Sequence, residues 1–254
     1  MGEVDIAIVG CVEQLISEKE WYYVRGEADD LFTWHKSRTA RGNTVAYLGC
    51  KMSLWGDISG YLVRALQEMS KAKCILYIGK TGTLSPDHTP NQTLATGDAS
   101  CMNGALIKWS NPLKPFIPYS DAIREGVHTT VSSPLVESQA WVEEWQPKCT
   151  WVDCEVGHMA DAARERGTSF GYLHIVSDRV TDWYPQDLTN EHSLEVTEQR
   201  GILFAEIRKV IDRSTAPFNS PGRSALSPND EAAVPASGTV PTVAALFPAV
   251  AIVI

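Results

Sequence analysis

The sequence predicts an α/β fold, a three-layer α/β/α arrangement with helices on both faces of a mixed, twisted central sheet. Three observations carry that prediction. Short apolar runs that read as buried strands recur at 4–10 (VDIAIVG), 74–79 (CILYIG) and 170–176 (FGYLHIV), the pattern of strands covered on both faces. Stretches with helical apolar spacing lie between and after them, at 58–72, 156–166 and about 190–212. A length of 254 residues suits one sizeable core better than two small ones.

The most tightly organised piece is 149–178, which parses as strand, helix, strand with almost no slack. CTWVDC is short and β-branched, and the following helix aligns Val156, Met159, Ala160 and Ala163 on one stripe, with Asp161, Arg164 and Glu165 facing out. Gly167 stops the helix, and FGYLHIV follows as a buried strand. Acidic residues stand where the strands run out: Asp153 and Glu155 after the first, Asp178 after the second. In an open α/β sheet ligands bind beyond the carboxyl ends of the strands, so these carboxylates mark a candidate site.

The other elements follow in order. VDIAIVG ends in glycine, but CVEQLI comes next and denies the GxGxxG dinucleotide fingerprint. Glu13 sits just past this strand, either as a first-turn carboxylate of a helix over 12–19 or as a base at the sheet edge. WYYVRG (21–26), LFTWHKS (31–37) and TVAYLGC (44–50) read as strands, with a hairpin turn at 41–43 and a loop at 52–57. The helix from Ile58 to Ala72 has Ile58, Leu62, Ala65, Leu66 and Met69 as its core stripe. CILYIG then runs into Gly79-Lys80-Thr81-Gly82, which reads as a tight turn whose backbone N–H groups can approach an anion or a sugar hydroxyl, though it lacks P-loop spacing.

A short strand is expected at 94–98, a proline-bearing loop or lid at 109–125 and a strand at 126–133. Ser133-Pro134 opens a helix over 133–145. The last helix turns Leu194, Ile202, Leu203, Ile207 and Ile211 inward. The texture changes after residue 213: the domain is expected over 1–213, with 214–254 a Pro/Ser/Ala-rich disordered tail. Its apolar end is shorter than the ~20 residues a membrane span needs.

Charge and cysteines narrow the function. A net charge of −9 with no basic cluster argues against nucleic-acid or anionic-membrane binding. The six cysteines are scattered without a CxxC pair, which fits free thiols in a reducing cytoplasm and no structural zinc. Glu155 and His158 form an E-x-x-H with no second copy, so neither a metal nor another cofactor is expected. His174, inside an apolar strand, reads as a satisfied core histidine.

Put together, the order is strand-Gly-x-x-Glu, strand-Gly-x-x-Gly, strand-Asp-Cys-Glu-helix and strand-Ser-Asp. Over roughly residues 4–212 this resembles the nucleoside phosphorylase and nucleosidase superfamily, most firmly in VDCEVGHMADAARERGTSFGYLHIVSD. IAIVGCVEQL looks most like the first strand of the methylthioadenosine and S-adenosylhomocysteine nucleosidases. The resemblance implies that Glu13 activates the attacking water and that Asp178 protonates N7 of a purine leaving group. It implies too that Glu155, with the Cys154 backbone, holds the ribose hydroxyls, and that Asp153, Gly79, Lys80 and Ser177 line the substrate site. A nucleoside is then the small-molecule partner, and a homo-oligomer is expected.

The residue types make chemical sense independently. Breaking an N-glycosidic bond builds positive charge on the ribosyl ring and negative charge on the departing base. A carboxylate against the sugar and an acid at the base answer both, each worth ~10²–10⁴-fold. Some residues depart from the family pattern. Lys80 replaces a small residue, Tyr77 stands where phosphate-using members carry arginine, and Ser133-Pro134-Leu135-Val136 replaces the usual base-stacking stretch. Phosphorolysis and a non-catalytic nucleoside-binding role therefore stand as alternatives to hydrolysis.

Overall fold

The computed structural model describes residues 2–16, 32–39, 42–50, 56–182 and 190–215. Within them, eleven strands form one mixed sheet in the order β2-β3-β1-β4-β10-β9-β6-β7, with β11 pairing β4 and β5, and β8 pairing β5. The strands are β1 (Ile6–Gly10), β2 (Phe32–Arg38), β3 (Thr44–Cys50), β4 (Cys74–Thr83), β5 (Leu94–Thr96), β6 (Ala99–Met102), β7 (Ala105–Lys108), β8 (Ile123–Glu125), β9 (His128–Thr130), β10 (Trp151–Asp153) and β11 (Ser169–Arg179). The helices are α1 (Ile58–Met69), α2 (Gln139–Trp145), α3 (Val156–Glu165) and α4 (Leu194–Thr215). The predicted strand at 21–26, most of the loop at 52–57 and the tail beyond residue 215 lie outside the described residues.

Strand alternation builds the layers. Ile6, Ile8, Leu76, Ile78, Leu173 and Ile175 pack with Leu203, Phe204 and Ile207 of α4. The intervening Ala7, Val9, Ile75, Tyr77, Phe170 and Tyr172 pack with Val63 and Leu66 of α1 and Val156, Met159 and Ala160 of α3. Successive side chains point to opposite faces and both faces are covered, which is why these strands read as continuous apolar runs. Burying one such large side chain contributes about 1.5–3 kcal/mol.

Several expectations are corrected. The stripe read for α1 holds at Leu66 and in part at Leu62, which packs half-buried against the core, but Ala65 is exposed, Ile58 and Met69 are 58% and 78% exposed, and Ser59, Gly60, Val63 and Gln67 face inward instead. The small residues let α1 lie close on α3, where Ser59 Oγ is 3.2 Å from Glu155 O and Gln67 Nε2 donates to Thr168 Oγ1 at 2.9 Å. This helix–helix seam is polar and small, so a search for apolar spacing alone selects the outer face. In α4, Leu203, Ile207 and Ile211 are buried as expected, but Leu194 and Ile202 are exposed and Val196, Phe204 and Val210 point inward. The helix expected over 133–145 splits, because Ser133 caps a 3₁₀ turn at Pro134–Val136 and Ser138 caps α2 separately. The helix expected at 12–19 is, among the described residues, a 3₁₀ turn at Glu13–Leu15. The 109–125 segment includes a second 3₁₀ turn, Lys114–Tyr119, and the strand β8.

Candidate active site

The site is set by two strand ends that meet head to head. β1 runs parallel to β4 and stops where Gly10 pairs Ile78. β10 approaches along the same side of β4 in the opposite direction, pairing Trp151 with Thr83 and Val152 with Gly82. Residues 79–81 therefore have no ladder partner on that side, and the chain leaving β1 faces the chain leaving β10 across them. On the other side, β11 runs parallel to β4 and carries Asp178 to Gly82, with a bulge between Val176 and Asp178. A bulge re-aims the side chains at a strand end, and here it adds Ser177 just before the acid.

This corrects the reading of Gly79–Gly82 as a turn. β4 continues straight through it to Thr83. The glycines serve close approach instead: a methyl at Gly79 would lie 3.1 Å from His174 Nε2, and one at Gly82 would lie 3.3 Å from Asp178 Oδ2.

Glu13 follows β1 directly. Gly10 has φ +103°, and any side chain there would overlap Ile78 O, so only glycine lets the chain leave β1 at this angle. Glu13 is exposed, yet its carboxylate folds back over the sheet edge, where Thr33 Oγ1 donates to Oε1 at 3.4 Å. A methyl at Gly49 of β3 would overlap that same Oε1.

Across the gap, Asp153 builds the start of α3. Its Oδ1 accepts the N–H groups of Glu155 at 2.9 Å and Val156 at 3.0 Å, while Thr130 Oγ1 accepts that of Gly157 at 2.7 Å. The first free donors of the helix are thus satisfied by side chains that precede it. Asp153 is buried beneath the site; its side chain is 5% exposed, and burial pushes its pKa up to about 7. Glu155 sits above it, with its pKa pushed up to about 9 by burial first and by Asp153 second. Tyr77, on the same face, is pushed well above its usual pKa by burial and then by Glu155 and Asp153, and it also lies within electrostatic reach of Cys11 and Cys50, which links the β10 side of the gap to the β1 side.

Two fully buried histidines flank Asp153: His128 Nε2 lies 3.4 Å from Oδ1 and His174 Nδ1 lies 3.8 Å from Oδ2. Burial drives His174 down to about 3 and His128 well below its usual value, so both rings are neutral at physiological pH and the contacts are not ion pairs. His174 is not the satisfied core histidine the sequence implied: neither ring nitrogen has a hydrogen-bond partner, and Tyr77 packs edge-on against the ring at 4.6 Å.

At the end of β11, Ser177 is buried and its hydroxyl donates to Asp178 Oδ1 at 2.6 Å. Cys154 is buried with Val131 and Val152, against which Trp141 and Val180 pack. That packing seats the segment before α2 over the end of β11 and brings in Glu137, a residue not singled out from the sequence. Glu137 is partly buried, and its pKa is pushed up to about 7 by burial and then by Asp178. Its position in a polar helix-cap stretch offered no signal. Leu135, in the Ser133–Val136 stretch, is 94% exposed. Lys80 points to the α4 side, where its Nζ is 2.7 Å from Glu191 Oε2. All six cysteines are free, and among the described residues no group of His, Cys, Asp and Glu is placed to hold a metal. No described helix is long and apolar enough to cross a membrane.

No family model matches the chain, and no curated protein matches its sequence. Solved structures do match. Futalosine hydrolase of Helicobacter pylori, in a mutant form, superposes with a TM-score of 0.62 at 14% identity, over 84% of this chain and 100% of that one. The 5′-methylthioadenosine/S-adenosyl homocysteine nucleosidase of Campylobacter jejuni gives 0.65 at 13%, over 83% and 99%. The nucleosidase of Colwellia psychrerythraea, solved in complex with adenine, gives 0.59 at 12%, over 83% and 94%. The chain has the nucleosidase fold. The three-layer architecture and mixed sheet expected from the sequence are those of these neighbours.

Proposed function

We propose that the protein is an N-glycosidase that hydrolyses a purine-type nucleoside to free base and sugar. The observation that carries this reading is the meeting of β1 and β10 over residues 79–81, which puts Glu13 and Glu155 on opposite sides of one gap, with Asp178 one strand further on. The nucleosidase fold of the structural neighbours supports it.

In this mechanism the sugar lies over the gap and the base extends toward Asp178. Glu13, reachable by solvent, takes a proton from the attacking water. With its pKa pushed up to about 9, Glu155 is neutral at pH 7, so it can donate to one ribose hydroxyl and accept from another. Its ionised form gains weight as positive charge builds on the ribosyl ring. Asp178 gives its proton to N7, held in orientation by the Ser177 hydroxyl. A phosphorylase would use phosphate in place of water, and a binding relative would hold the nucleoside without turnover. We also propose that the protein works as a homo-oligomer, which the exposed Ile58, Tyr61 and Met69 of α1 support.

The test is a screen of nucleosides for released base, with and without phosphate, on the full chain and on Glu13→Gln and Asp178→Asn. Each substitution is expected to lower kcat by ~10²–10⁴-fold. Phosphate-independent free sugar supports hydrolysis, and sugar-1-phosphate would replace it with phosphorolysis. Full activity in either variant removes that residue from the mechanism.

A further inference from the structure

The α4 side of β4 carries a cationic cluster that the proposed hydrolysis does not use. Lys80 Nζ lies 2.7 Å from Glu191 Oε2, and Arg200 Nη1, from α4, lies 3.2 Å from the same oxygen. Arg200 Nε donates to Asn91 Oδ1 at 2.8 Å, which fixes the plane of the guanidinium. Its remaining nitrogen, Nη2, is buried and has no hydrogen-bond partner. Two cations thus share one carboxylate oxygen and leave the cluster with a net positive charge, in a chain whose formal charge is −9.

A simple brace between β4 and α4 would not need this arrangement. A buried unpaired donor is costly, and such groups are normally satisfied in a folded protein. A guanidinium held by its Nε, with its two Nη groups turned to one side, is a fork that fits two oxygens of a carboxylate or phosphate group. Glu191 fills only half of it. The side chains are 38% exposed at Lys80, 28% at Glu191 and 12% at Arg200, so the cluster opens outward through the lysine and the glutamate while the arginine forms its floor. Cys11, at the end of β1, feels Lys80, Glu13, Arg200 and Glu191 together, which sets the cluster beside the candidate base.

We propose that Lys80 and Arg200 form a binding site for an oxyanion, a phosphate or carboxylate group, and that Glu191 holds the place of that group until the anion displaces it. The anion has two conceivable sources, a charged substituent on the nucleoside or free phosphate. Only the placement of the anion relative to a nucleoside rests on the N-glycosidase reading; the anion site itself does not.

The test is calorimetric titration of inorganic phosphate into the full-length protein, Glu191→Gln and Lys80→Met at low ionic strength. Glu191→Gln removes the built-in competitor and is expected to tighten phosphate binding by about tenfold or more, equivalent to at least ~1.4 kcal/mol. Lys80→Met is expected to abolish binding. Arg200 is mostly buried and its variants risk misfolding, so the partly exposed Lys80 carries the test. A merely structural salt bridge predicts a lower Tm for Glu191→Gln with no gain in phosphate affinity, and that result overturns the proposal. Base release from a neutral nucleoside and from its 5′-phosphate, each with and without phosphate, then separates the sources. A larger KM increase for the 5′-phosphate in Lys80→Met points to the substituent, and phosphate-dependent sugar-1-phosphate points to the free anion. Phosphate binding without base release from any nucleoside sinks the N-glycosidase reading alone. Base release without phosphate binding in any of the three proteins sinks the anion site alone.

Discussion

The Asp153 carboxylate accepts the backbone N–H of Glu155 at 2.9 Å while its charge helps push the Glu155 side chain up to about 9. One residue thus positions the other and sets its protonation. Asp153→Asn keeps an oxygen for the helix N-terminus but removes the charge. Glu155 should then ionise at lower pH, since a like charge no longer opposes it. In the wild type, KM for a nucleoside is expected to fall as pH rises toward about 9. In Asp153→Asn that limb moves toward acid. Asp153→Ala also removes the cap and should lose about 0.5–2 kcal/mol relative to Asn. An unmoved KM limb in Asp153→Asn would separate the two residues.

The buried titratable groups also shape stability against pH. Carboxyls raised in the folded state hold protons that the unfolded chain has lost, so stability falls as pH rises from the unfolded pKa to the folded one. Asp153 and Glu137 contribute that loss up to about 7, and Glu155 up to about 9. His128 and His174 act oppositely: their folded pKa values are depressed, so their contribution is present above ~6.5 and is lost as pH falls below it. Below pH ~6.5 the two histidines offset only part of the loss from the three carboxyls, and above it only the carboxyls act. Tm is therefore expected to decline as pH rises from about 6.5 toward 9. Glu155→Gln should flatten the decline between pH 7 and 9. Scanning calorimetry at fixed ionic strength checks both, and a wild-type Tm that climbs over this range contradicts the assignment.

Glu137 extends the same reasoning to the end of β11. Near pH 7 it loses its proton beside Asp178, and in the proposed mechanism this places negative charge where the departing base would also gain it. Base release is therefore expected to fall as pH rises through 7 in the wild type. Glu137→Gln should remove that fall and keep the rate level between pH 6 and 8. A limb near 7 that persists in the variant belongs to another group.

The sequence exposed those parts of the molecule in which one side chain has one role. β1, β4, α3 and β11 were legible because each strand residue packs on a single layer, and α3 turns small apolar residues to the sheet. The stripe of α1 is hidden from apolar spacing because Val63 and Leu66 share its buried face with Ser59, Gly60 and Gln67, which meet the α3 segment through hydrogen bonds and close approach. Asp153 and Glu155 were legible as a pair, but not the division between a buried cap and a raised acid above it, which depends on His128 and Thr130 from β9. Glu137 and Arg200 were invisible. Each reaches its place through tertiary packing, from segments more than forty residues away in sequence from Asp178 and Lys80 respectively, and neither lies in a motif.

Gly49 gives a prediction that isolates Glu13 without touching it. The residue lies in β3, paired with Gly10 of β1 and Thr33 of β2. A methyl there would overlap both Glu13 Oε1 and Thr33 Oγ1, the far ends of side chains that can swing away. The fold can accept Gly49→Ala by moving those two groups, so the change in stability should be small, within about 1 kcal/mol. Ala is moreover no worse than Gly in an extended strand. The carboxylate, however, leaves its place over the sheet edge, and a misplacement of about 1 Å at a reacting group can cost ~10²-fold in rate. Gly49→Ala is thus expected to reduce kcat for base release by about that factor with KM and Tm nearly unchanged. Gly42→Ala serves as the contrast, since a methyl there meets nothing within 4 Å. It should disturb only the local backbone, whose φ of +83° disfavours alanine. Equal rates in Gly49→Ala and the wild type would place Glu13 outside the reaction.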